Sequence, residues 1–118
     1  MDRITLVGHL KIHPGKYEEF AQVAKRIMAL VEDEPDVQVY EWYIDKDSGA
    51  CEAFETYKDS KAVIGHMTGP VGAALPELFQ FADIVSIDLY GELTPEAREL
   101  TAAFPITHRG LPAFSASK

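Results

Sequence analysis

Glu55-Thr56-Tyr57-Lys58-Asp59-Ser60-Lys61-Ala62-Val63-Ile64-Gly65-His66 is the stretch that decides the fold. Through Tyr57 it alternates like a strand, with Glu55 and Tyr57 leaving on one face. Asp59 or Ser60 then offers an oxygen to the first free amides of a helix. From there the apolar spacing becomes helical and carries His66 on the second turn. A carboxyl, a phenol and an imidazole therefore meet at a sheet–helix junction.

Working upstream, a hairpin turn, Lys46-Asp47-Ser48-Gly49, separates strands predicted at 37–45 and about 50–58. The first of these is rich in β-branched and aromatic residues, including Val39, Tyr40, Trp42 and Tyr43. Before it, Tyr17, Phe20, Ala21, Ala24, Ile27, Met28 and Val31 recur at helical spacing from Gly15 to about Asp33, and Pro35 ends the helix. A first strand at 4–12 places Ile4, Leu6, Gly8, Leu10 and Ile12 on one face and Thr5, Val7, His9 and Lys11 on the other. Downstream, Thr68-Gly69-Pro70 interrupts the second helix, and a short helical piece disturbed by Pro76 runs to Phe79. A last strand at about 81–91 alternates Val85, Ile87 and Leu89 against Ile84, Ser86, Asp88 and Tyr90.

The order is β-α-β-β-α-β, a ferredoxin-like α+β domain over residues 1–92 with a four-stranded antiparallel sheet. Right-handed crossovers put both helices on one face. The other face is too apolar to meet water alone, so a second copy packed sheet to sheet is expected, making a homodimer. Residues 93–118 form a C-terminal extension packed on the same domain or on the partner subunit. It holds a short helix from Thr94-Pro95-Glu96, a possible short strand at Ile106-Thr107-His108-Arg109, and an arm.

Composition narrows the function classes. The chain has 118 residues, 47% apolar and 25% charged, which suits one globular domain. Nineteen carboxylates against 11 Lys and Arg give a net charge of −8, which disfavours nucleic acid and anionic membrane as partners. No run of 18 apolar residues exists to span a bilayer. The start, Met1-Asp2-Arg3-Ile4-Thr5, lacks a signal-peptide pattern and Cys51 is the single cysteine, so a cytoplasmic location is expected. Dinucleotide, phosphate-loop and serine-hydrolase motifs are absent. His9 and His13 lie about 13 Å apart along a strand, too far to share one ion, and no metal is inferred.

The strand ending in Pro14-Gly15, the hairpin with Tyr40 and Asp45, and Glu55-x-Tyr57 followed nine residues later by His66 resemble the antibiotic biosynthesis monooxygenase (ABM) superfamily over residues 3–91. The resemblance implies a dimeric α+β barrel with a pocket in each subunit between helices and sheet. Its members include monooxygenases that need no cofactor and act on quinols or polyketide aromatics, haem-degrading enzymes, and an isomerase of a sugar phosphate. Haem-degrading members carry Asn on the first strand and Trp shortly before the helix histidine. Here those positions hold Gly8 and Tyr57, so haem is set aside.

The expected activity is therefore cofactor-independent monooxygenation of a quinol or another electron-rich aromatic. A non-catalytic dimeric binding protein and an isomerase of a small carbonyl compound are the alternatives. His66 is the candidate base, against the plainer reading of a surface or helix-end histidine. Tyr57 is the candidate oxyanion partner, against simple packing. Tyr40, Trp42 and Glu55 are candidate substrate-binding residues. The plainer readings are a core wedge for the two aromatics and a structural carboxylate for Glu55.

Overall fold

The computed structural model describes residues 2–116. Its elements are β1 (Ile4–Ile12), α1 (Tyr17–Val31), β2 (Val37–Asp45), β3 (Ala50–Tyr57), α2 (Ser60–Thr68), α3 (Pro70–Leu78), β4 (Ala82–Tyr90), α4 (Pro95–Leu100) and β5 (Ile106–Gly110). They form a ferredoxin-like α+β fold with one sheet ordered β2-β3-β1-β4-β5.

The first four strands pair antiparallel as the sequence predicts, but β5 adds parallel to β4. The sheet is therefore five-stranded and mixed rather than four-stranded and antiparallel. The physical reason is α4, which carries the chain back along the sheet so that Ile106 can pair beside Ile87 on the open edge of β4.

The helices pack on the face lined by the even-numbered residues of β1, where Ile4 and Ile12 are buried. Phe20, Val23 and Ile27 form the buried stripe of α1 and meet Ile12, Cys51 and Ala82. A second cluster joins Ile4, Tyr57, Val63 and Leu89 to Leu93 and Ala97 of the extension. The hairpin turn is closed by Gly49 at φ +79°, a conformation glycine reaches without strain, while Asp45 Oδ1 accepts from the Asp47 amide at 2.9 Å.

Strict alternation fails in β4. Ser86 pairs with His9 but Ile84 pairs with Leu10, so one residue on β4 is extra. This bulge turns Val85 out to solvent and brings Ile84 onto the helix face with Ile87 and Leu89. Between α2 and α3, Gly72 lets the helices approach closely, because a Cβ there would collide with the Met67 carbonyl. Helix α3 continues for two residues beyond Pro76.

Candidate active site

The face selected by strand parity carries the chemistry. Glu55 and Tyr57 on β3 point toward the helices and both are buried, Tyr57 to 2% exposure. Tyr40 lies opposite Glu55 and Trp42 opposite Ala53, which sets two aromatics beside the acid. Asp59 accepts a 2.9 Å bond from the Ala62 amide and starts α2 where the sequence predicts. Three residues beyond Val63, His66 then falls on the buried side of that helix.

These five side chains line one cavity of about 100 Å³ between the sheet and α2–α3. Its remaining wall is almost wholly apolar. Gly8 and Ala53 keep the floor low: a Cβ at Gly8 would already be in ordinary contact with Leu10 and Ala53, at 3.5 and 3.6 Å.

Two linked polar pairs organise the site. Tyr57 Oη donates to Glu55 Oε1 at 2.6 Å, and Trp42 Nε1 donates to Glu55 Oε2 at 3.4 Å. His66 Nδ1 lies 2.9 Å from Glu34 Oε1. With Nδ1 donating to this carboxylate, Nε2 is the ring nitrogen left to meet a ligand. The imidazole packs against the rings of Tyr40 and Tyr57 at 5.2 and 5.3 Å.

Burial dominates the electrostatics. It raises the Glu55 carboxyl above the usual range, partly offset by the Tyr57 hydroxyl, His66 and Trp42. Burial, then the Glu55 charge, pushes the Tyr57 and Tyr40 phenols well above 10. Both phenols stay protonated and act as hydrogen-bond groups. Cys51 is buried, and desolvation with the nearby Glu55 and Glu52 lifts its thiol to about 11.

The structure thus brings together His66, Tyr57, Glu55, Tyr40 and Trp42. Trp42 packs on Phe20, with ring centroids 6.0 Å apart, and also lines the cavity. Tyr57 differs in detail, since its proton is engaged by Glu55 rather than presented to the cavity. Sequence reasoning missed Glu34. It sits in the turn after α1, its amide bonded to the Val31 carbonyl and its carbonyl to the Val37 amide, and no motif marks it. It also missed Thr101, Phe104 and Ile106, which close the cavity from the extension. Leu100, Thr101 and Phe104 were legible only as one side of a short helix.

Two further histidines, His9 and His13, are engaged by carboxylates on the opposite face or the sheet end. His9 Nε2 is 3.3 Å from Asp88 and His13 Nε2 is 3.0 Å from Asp83. Among the described residues no group of three or more His, Cys, Asp or Glu is placed to hold a metal ion, and no helix is long and apolar enough to cross a membrane.

The ferredoxin-like sheet with a cavity under its helices places the chain among α+β proteins of this architecture. Residues 3–74 match the antibiotic biosynthesis monooxygenase family, and the chain belongs to it. Among solved structures, MupZ from Pseudomonas fluorescens is similar over 100% of this chain and 94% of its own, with a TM-score of 0.80 and 16% identity. SnoaB, a cofactor-independent oxygenase from Streptomyces nogalater, aligns over 80% of this chain and 96% of its own, with a TM-score of 0.66 and 17% identity. A conserved protein from Methanosarcina mazei Go1 aligns over 76% of this chain and 92% of its own, with a TM-score of 0.68 and 22% identity. At these identities the likeness is one of fold. No curated protein sequence matches significantly.

Proposed function

We propose that the protein is a cofactor-independent monooxygenase acting on a quinol or a similarly electron-rich phenol. The observation that carries this reading is the Glu34–His66 pair on the wall of an apolar cavity, next to the Tyr57–Glu55 pair. Family membership and the likeness to a cofactor-independent oxygenase agree with it.

In this mechanism His66 Nε2 takes the proton of a substrate hydroxyl, and Glu34 supports the imidazolium that results. Glu55, held toward its neutral form, donates to Tyr57 Oη. That reversal frees the phenol proton of Tyr57 to meet the substrate oxyanion. The electron-rich anion passes one electron to dioxygen, and recombination forms a carbon-bound peroxide, which takes back the proton held on His66 to become a hydroperoxide. Loss of water leaves the product carbonyl. One oxygen atom ends in the organic product and the other in water. Quinol plus O₂ gives hydroxyquinone plus water, all electrons coming from the substrate. Tyr40 and Trp42 hold the ring.

The protein works in this proposal as a homodimer. Val39, Tyr43, Phe54, Val85 and Tyr90 expose large apolar surfaces on the sheet face away from the helices. A second copy covers them.

The test is oxygen uptake with a panel of quinols, compared with buffer autoxidation. The wild type is expected to consume one O₂ per quinol, and His66→Ala to lose most of that rate. No uptake above autoxidation, or equal rates for the two proteins, refutes the oxygenase. A second reading, isomerisation of a small carbonyl compound, draws on the raised acidity range of Glu55, which suits a general acid. Turnover under nitrogen selects it. Ligand-induced thermal stabilisation with no turnover in either atmosphere leaves a binding protein.

A further inference from the structure

The cavity is chemically divided across the sheet. Tyr40, Trp42, Glu55, Tyr57 and His66 all come from β2, β3 or α2, whereas β1, β4 and β5 contribute only glycine, leucine and isoleucine. The far wall belongs to the extension, through Phe104 and Ile106. Phe104 is held edge-on against Phe79 at 6.5 Å, and Ile106 is fixed by pairing with Ile87. Thr101 is the polar exception, and its hydroxyl is already donated to the Ala97 carbonyl at 2.9 Å. Three strand steps separate β3 from β5, about 14 Å. A ligand that fills the space meets hydrogen-bonding groups at one end and hydrocarbon at the other.

Size sharpens the class. A cavity of about 100 Å³ admits only a small ligand, on the order of one aromatic ring with its hydroxyl and a few carbons more. A polar group at the far end would be desolvated without a partner, so an apolar substituent is selected.

We propose that the ligand is a single-ring phenol or enol with a short apolar substituent. Its hydroxyl sits between Tyr57 and His66, and its substituent points across β1 and β4 to Phe104 and Ile106, which set the permitted length. This deepens the functional reading above and rests on the same cavity. The extension is then a specificity element as well as a structural one. It is anchored at its start by the Thr94 amide donating to Ser60 Oγ at 3.0 Å, on the first residue of α2.

The experiment is calorimetric binding under nitrogen of phenol and 4-alkylphenols from methyl to octyl. Affinity should rise about fourfold per methylene, the yield of burying one CH₂, until the substituent reaches the extension, and then stop rising. Phe104→Ala and Ile106→Ala should each move that break to longer chains, and Ile106→Phe should move it to shorter ones. Ending the substituent in a hydroxyl should weaken binding. A flat chain-length series, a break unmoved in all three variants, or no phenol binding at all overturns the proposal. The two readings fail separately. A clear break without oxygen uptake sinks the oxygenase alone, and oxygen uptake with a flat series sinks this proposal alone.

Discussion

Replacing Glu55 by Gln should make the protein progressively more stable than wild type as pH rises. The carboxyl accepts two bonds, a short one from Tyr57 at 2.6 Å and a long one from Trp42 at 3.4 Å. Glutamine keeps the shape and one acceptor oxygen, so it can retain the short bond and lose the long one. That loss costs about 1 kcal/mol or less. At acid pH, where wild-type Glu55 is neutral in both states, Glu55→Gln should therefore be equal to wild type or slightly weaker. The linkage then turns in its favour. Burial raises the folded Glu55 above its usual range, so the unfolded chain releases this proton first. Wild type keeps the associated stability below the unfolded titration and loses it as pH rises through the folded one, at a limiting slope of about 1.4 kcal/mol per pH unit. Glutamine does not titrate. For 118 residues the unfolding entropy is about 0.25 kcal/mol per kelvin, so each pH unit inside that window moves the Tm difference by about 5 °C. The assay is thermal or urea unfolding of both proteins from about pH 4 to 8, bracketing and exceeding the usual carboxyl range. A stability difference that stays flat across that range refutes the reasoning. So does a Glu55→Gln protein weaker by more than about 3 kcal/mol in acid, which would mean that the lost acceptor dominates.

Glu34→Gln removes the carboxylate that orients His66 and should lower oxygen uptake by about ten- to a hundredfold. An unchanged rate would make Glu34 a bystander. Gly8→Ala adds a methyl at ordinary contact distance from Leu10 and Ala53. It should raise stability by about 0.4–1 kcal/mol while weakening ligand binding, and denaturant titration beside calorimetry checks both. Phe54→Asp combined with Val85→Asp places two charges on the exposed sheet face. For the homodimer proposed above, sedimentation should show a dimer for wild type and a monomer for the double variant, and an unchanged mass in the double variant would remove the sheet face as the interface.

Strand parity made most of the site legible. Once Asp59 marks the switch from period two to 3.6, Glu55, Tyr57 and His66 must face the same space, and the hairpin register adds Tyr40 and Trp42. The bulge at Val85–Ser86 was not legible, because neither glycine nor proline announces it and both registers bury apolar residues. Nor was the direction of β5: Ile106 to Arg109 reads as a strand, but its partner depends on where α4 delivers it. Glu34 lies 32 residues from His66, at the end of another helix, and their meeting is a product of packing rather than of spacing. Side-chain bonding was hidden for the same reason. The sequence puts Tyr57 and Glu55 on one face but does not say that one will engage the other's proton.

Glu55 is the residue on which structural and functional accounts separate most cleanly. It lies in an apolar cavity, with no lysine or arginine among the described residues that line it, and is bonded by a phenol and an indole. For a domain whose whole stability is on the order of 5–15 kcal/mol, an acid held away from water in this way is a burden near neutral pH. If its role were only to satisfy Trp42 and Tyr57, an amide would do so without the penalty, and ligand affinity would survive the exchange. If its proton works together with Tyr57 on a bound hydroxyl, the exchange should stabilise the protein while weakening phenol binding. Gain of stability with loss of binding is the pattern expected where a fold keeps an unfavourable group for its chemistry. Only the second account predicts that the two properties move in opposite directions.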